Sequence, residues 1–264
     1  MRAVADGGCT RGAYGEPMNS DVILLTAIAA GTALATGLGA LPVIALGGER
    51  ARAAQGVLSG FAAGVMAVAA IAGLLVPAAQ QGSAPVVIAA AGAGALGLVL
   101  LRRGLGHRAR GHGRSEAGTR SLLVIGVLFA HSLPEGLAIG AAFASSQAGI
   151  GAFVIAAIAI QNVPEGTATA AAMQPAGYSS AKQFWGAVLT SVPQVPGALI
   201  AWLAVEQIQG LLPASFALAG GAMLALVVVD LLPDAWKHGA HPRVVGGTAL
   251  GAALMLAVGA ALGV

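Results

Sequence analysis

Residues 121–172 read SLLVIGVLFAHSLPEGLAIGAAFASSQAGIGAFVIAAIAIQNVPEGTATAAA. Two helix-length apolar runs flank one short polar turn, Ser145-Ser146-Gln147. Each run carries a copy of one pattern, His131-Ser132-Leu133-Pro134-Glu135-Gly136 and Gln161-Asn162-Val163-Pro164-Glu165-Gly166. At the same offset Ala138 matches Ala168, and Ala141 and Ala142 match Ala171 and Ala172. The runs are continuous rather than alternating, so they read as helices and not as strands of a barrel. A charge in the middle of a membrane helix costs about 2.5–3.5 kcal/mol even on insertion scales. Two carboxylates, an imidazole and two amides in such sequence need a partner, and a bound metal ion supplies one.

Working outward, the whole chain has the composition of a membrane protein. Of its 264 residues 57% are hydrophobic and 9% charged, and mean hydropathy is +0.85. Soluble domains average about 25% charged residues. Gly and Ala are abundant, as where membrane helices approach closely. The single cysteine, Cys9, excludes an internal disulfide and a cysteine-based zinc site. No nucleic-acid partner is expected; the bilayer is.

Apolar windows of about 20 residues suffice to span a bilayer. There are eight, at 22–47, 55–79, 84–101, 121–145, 149–172, 183–206, 214–236 and 244–263. Residues 1–17 lack the apolar core of a signal peptide, and Met18 is a candidate alternative start. The expected organisation is a disordered segment, 1–20, then a single eight-helix domain, 21–264, with a basic cytoplasmic loop at 102–120. Eleven of the 13 Lys and Arg residues fall in loops on one side of such a topology. Only Arg2 and Arg11 fall on the other. By the positive-inside rule both termini are outside. His107 and His112 in the basic loop give thin support for a metal-collecting segment. Tyr178, Phe184, Trp185 and Trp236 fall near inner boundaries and Trp202 near an outer one, where interfacial anchoring is expected.

His131 and Glu135 stand at i and i+4 and share one helix face, as do Gln161 and Glu165. The short turn makes the two helices antiparallel neighbours. At 1.5 Å per residue both glutamates lie about 20–25 Å from that turn, at similar depth. Pro134 and Pro164 lack an N–H and release the carbonyls of Ala130 and Ile160 beside the site. Kinked helices at a midplane site are a recurring transporter device. Imidazole and carboxylate ligands suit zinc and related first-row metals. Ser132, Asn162 and Gln194 are candidates to hold those ligands or to touch the ion weakly.

These motifs resemble the ZIP (Zrt-/Irt-like protein) family of divalent metal transporters, especially its bacterial members. H-x-x-P-E-G and Q-N-x-P-E-G match the family's paired signature. Gly60 to Met66 resembles its second-helix motif, and Asp230-Leu231-Leu232-Pro233-Asp234-Ala235 its acidic seventh-helix motif. The resemblance implies a multi-pass protein of the bacterial cytoplasmic membrane carrying Zn²⁺, or Cd²⁺, Fe²⁺, Mn²⁺ or Co²⁺, into the cytoplasm. It implies His131, Glu135, Gln161 and Glu165 as primary ligands, with a thioether contact from Met66. Some members hold two metals, using an Asn after the His, an Asn or Asp on the fifth helix and a Glu on the sixth. Here those positions are Ser132, Asn162 and Gln194, so one metal is expected. A second copy of the chain is a candidate partner.

Asp230, Asp234 and His238 stand at i, i+4 and i+8, one polar stripe and a candidate cytoplasmic exit, with His241 beyond. Pro193 and Pro196 bracket Gln194 and should kink that helix. Thr167 and Thr169 should bond back to helix carbonyls. Asn19 and Asp21 are candidate N-caps of the first helix. No Walker-type loop is present, so ATP is not the expected energy source. Alternating access is the expected mechanism, with proton and metal competing for the same ligands. The alternatives are a selective passive channel and an intramembrane metal-dependent hydrolase. The hydrolase reading lacks H-E-x-x-H and has one intramembrane histidine, so no enzyme is expected.

Overall fold

Backbone N–H and C=O groups in hydrocarbon must be satisfied within the chain, and apolar runs of this length do so as helices. The computed structural model describes residues 16–109, 116–145, 147 and 149–264. The expectations for Cys9, Arg2, Arg11 and His112 fall outside these residues, as does the side chain of His107.

Helix α1 is Glu16–Leu46. It begins before Asn19 and Asp21, so these lie inside its first turns and are not N-caps. Helix α2 covers residues 48–81: Gly48–Val68, a π-helical stretch Ala69–Leu75, and Val76–Gln81. Then come α3, Ala84–Ala109, α4, Glu116–Phe143, and α5, Ile150–Met173. Helix α6 covers residues 180–207 in two segments, Ser180–Ser191 and Gln194–Gln207. Helix α7 covers residues 212–238: Leu212–Leu226, a π-helical stretch Val227–Leu231, and Leu232–His238. Helix α8 is His241–Leu262. No strand occurs among the described residues. Seven of these helices are long and apolar enough to cross a membrane. The other, α4, matches them in length with 28 residues.

Glycines join the helices in pairs. A Cβ at Gly39 would stand 1.9 Å from the carbonyl oxygen of Val163, and one at Gly166 would stand 1.7 Å from that of Thr36. Helices α1 and α5 therefore touch backbone to backbone. Gly136 meets Gln194 and Gly197 meets Leu133 in the same way, joining α4 to α6. Equivalent contacts join α2 to α8 at Gly64 and Gly251, and α3 to α7 at Gly94 and Gly221. Backbone contact therefore pairs α1 with α5, α4 with α6, α2 with α8 and α3 with α7. Between pairs side chains meet, as where Phe153 and Val154 of α5 reach Gly73 of α2. Most of α3 faces outward, with Leu96, Leu100 and Leu101 exposed. Trp185 and Trp236 are half exposed, as an interfacial position requires. Trp202 is not: it is 4% exposed and packs in the core. Its apolar ring area outweighed the interfacial preference of its N–H.

Candidate functional site

The polar groups of the two motifs lie in the interior of the bundle. His131, Ser132 and Glu135 of α4, and Gln161, Asn162 and Glu165 of α5, are all buried. Both motif prolines stand inside uninterrupted helices. Pro193 does break α6: Ser191 ends one segment and Gln194 begins the next. That break presents the side chain of Gln194 to α4 and α5.

Glu135 is the centre of the hydrogen bonding. Gln161 Nε2 donates to its Oε1 at 2.6 Å, and Gln194 Nε2 donates to its Oε2 at 2.7 Å. Asn162 and Gln194 exchange amide bonds at 3.4 Å in each direction. Asn162 Nδ2 also donates to the carbonyl of Thr32 at 2.7 Å. The hydroxyl of Thr32 lies 2.7 Å from Gln194 Oε1, its hydrogen shared with the carbonyl of Ala29 at 2.8 Å. One turn on, Thr36 and Ser191 join their hydroxyls at 2.6 Å. Sequence reasoning missed Thr32, Thr36 and Ser191. The signal was present in part, as two threonines at i and i+4 in an apolar helix.

Other expected positions fall as follows. Ser132 turns its hydroxyl to the carbonyl of Leu128 at 3.2 Å, along its own helix and away from the amides. Thr167 bonds the carbonyls of Gly39 and Val163, and Thr169 that of Glu165, as expected of threonines in helices. Met66 is fully buried on α2, within the main core.

Among the described residues, the buried polar atoms with no hydrogen-bond partner are both ring nitrogens of His131, Gln161 Oε1, Glu165 Oε1, Asp230 Oδ2 and, away from these, Gln183 Oε1. His131 Nε2 lies 3.2 Å from Asp230 Oδ2 without hydrogen-bond alignment. Buried polar atoms are normally paired, and each exception calls for an explanation. An imidazole nitrogen, an amide oxygen and a carboxylate oxygen are all metal-ligand types. Among the described residues, no three His, Cys, Asp or Glu side chains stand grouped as a cation cage.

The acidic stripe of α7 divides. Asp230, in the π-helical stretch, pairs with Arg102 of α3 and faces His131 of α4. Asp234 instead accepts from Gln55 at 3.2 Å and Ser59 at 3.1 Å, both on α2, and lies 3.2 Å from His238 Nδ1. His241 stacks on Trp236. Four-residue spacing predicts one face only while the helix is regular, and the π-helical turn interrupts that regularity.

Long apolar helices around a buried cluster of ionisable and amide groups mark a multi-pass membrane protein. Residues 101–262 match the family described as ZIP Zinc transporter. Over 255 residues the chain is 34% identical to the zinc transporter GufA of Myxococcus xanthus, covering 91% of this chain and 98% of GufA. Over 242 residues it is 37% identical to the zinc transporter ZIPB of Bordetella bronchiseptica, covering 87% of this chain and 78% of ZIPB. A candidate zinc transporter of Arabidopsis thaliana is 32% identical over 255 residues; the chain spans 40% of that longer relative. The chain belongs to the ZIP family, and it is a transporter rather than an enzyme.

Proposed function

We propose that this protein carries Zn²⁺, or a related divalent transition metal, into the cytoplasm across a bacterial inner membrane. It spans the membrane eight times with both termini outside, as the distribution of Lys and Arg supports. One observation carries the reading. Among the described residues, His131, Gln161 and Glu165 each keep a ligand-type atom buried and without a hydrogen bond, in the interior of an apolar bundle. A divalent cation satisfies all three and balances the two carboxylates, Glu135 and Glu165. Met66 adds a soft sulfur, which suits zinc and its neighbours.

The site holds one ion. Gln194 places N–H donors on Glu135 Oε2 and Asn162 Oδ1, using the lone pairs a second cation would need. Its own oxygen is engaged by Thr32 and Asn162. Bound metal draws Glu135 away from at least one of its two amide donors. Transport proceeds by alternating access. Backbone-tight glycine contacts stiffen each helix pair, and the softer side-chain contacts between pairs let them shift against one another.

The test is Zn²⁺ uptake by proteoliposomes. Glu165→Ala and His131→Ala are expected to abolish uptake while the protein remains folded by size-exclusion chromatography. Uptake at the wild-type rate in either variant refutes the assignment.

A further inference from the structure

His131, Asp230 and Arg102 form a line leading out of the site. Their side chains are 2%, 14% and 42% exposed in that order. One oxygen of Asp230 pairs with the Arg102 guanidinium, and the other lies 3.2 Å from His131 Nε2. Arg102 is on α3, Asp230 on α7 and His131 on α4, so the line joins three helices. The ion pair is not needed to join α3 to α7. Those helices already touch backbone to backbone where Gly94 meets Leu218 and Gly221 meets Ala91.

A carboxylate facing an imidazole is half of a metal cage. An ion leaving His131 meets the carboxylate of Asp230 next. A carboxylate of undivided charge there would retain it. Arg102 divides that charge: its guanidinium is a cation fixed to the protein and already paired with the acceptor. We propose that Arg102 is the tethered counter-ion of the release step, keeping the Asp230–His131 pair from trapping the departing metal. The inference rests on the transport reading above. It assigns Arg102 as a positioning residue that acts through Asp230.

The experiment uses the full-length protein with Zn²⁺ as probe, measuring binding in detergent and uptake in proteoliposomes. In Arg102→Gln, KM and turnover should fall together by about tenfold, leaving their ratio nearly unchanged, because the bound state is stabilised without gain in the barrier-crossing state. Equilibrium binding should tighten by a similar factor, about tenfold. Arg102→Lys should stay close to wild type, and Arg102→Gln with Asp230→Asn should lose the tightened binding. Unchanged binding in Arg102→Gln overturns the proposal. So does a fall in turnover at constant KM, which marks a packing defect. Wild-type protein that binds but never transports Zn²⁺ refutes the transport reading instead; the binding comparison then still decides the role of Arg102 at Asp230.

Discussion

Replacing Gln194 by Glu tests the electrostatics of the site most directly. In the wild type the Gln194 amide donates to Glu135 Oε2 at 2.7 Å and accepts from Thr32 at 2.7 Å. The substitution exchanges the N–H donor for an oxygen. A hydrogen bond to a charged acceptor, worth about 1.5–3 kcal/mol, is lost. Two carboxylates then face one another, and like charges about 4 Å apart at an effective dielectric near 20 repel by about 4 kcal/mol. The metal-free variant is therefore several kcal/mol worse than wild type unless one carboxylate takes up a proton, and with Zn²⁺ in excess a further cation competes for that position. The expected metal content after equilibrium dialysis is one Zn²⁺ per wild-type chain and two per Gln194→Glu chain. Added metal should raise the thermal midpoint of the variant more than that of the wild type, since an ion that binds only the folded state stabilises it by mass action. Gln194→Leu separates charge from shape: it also removes the donor, yet should remain at one ion. A single ion per chain in Gln194→Glu would refute the reasoning and detach Gln194 from the site.

Further outcomes follow from the same geometry. Gly166→Ala places a methyl group 1.7 Å from the carbonyl of Thr36, so the yield of folded protein should fall sharply, whereas Gly92→Ala, with nothing within 4 Å, should express normally. Thr32→Val leaves Gln194 Oε1 with only the long Asn162 bond; it should lower stability by about 1 kcal/mol in a thermal-shift assay and leave metal stoichiometry unchanged. Met66→Leu preserves core volume and should weaken Cd²⁺ uptake more than Zn²⁺ uptake, since the softer ion depends more on the thioether; equal effects on both would remove Met66 from the ligand set. Flux should saturate with Zn²⁺ concentration, as a carrier requires, and linear flux would instead indicate a channel.

Much of this protein was legible along the chain. Apolar run length alone set the helices, because hydrocarbon leaves the backbone no other way to satisfy its hydrogen bonds. The duplicated motif marked His131, Glu135, Gln161 and Glu165, since four-residue spacing fixes a shared helix face without tertiary information. Pro193 announced the break in α6, because a missing N–H acts locally. The tertiary structure decided which polar groups meet. Thr32 and Gln194 lie 162 positions apart, and no local pattern could show that their hydroxyl and amide bond. Trp202 went to the core for the same reason: its neighbours, not its place in the window, determined its burial. The α7 stripe separated because its π-helical turn lies where Asp230 meets α3 and α4. Spacing along a helix put His131 with Glu135 and Gln161 with Glu165, and packing between helices filled Glu135 with amide donors and set Arg102 on the carboxylate beside His131.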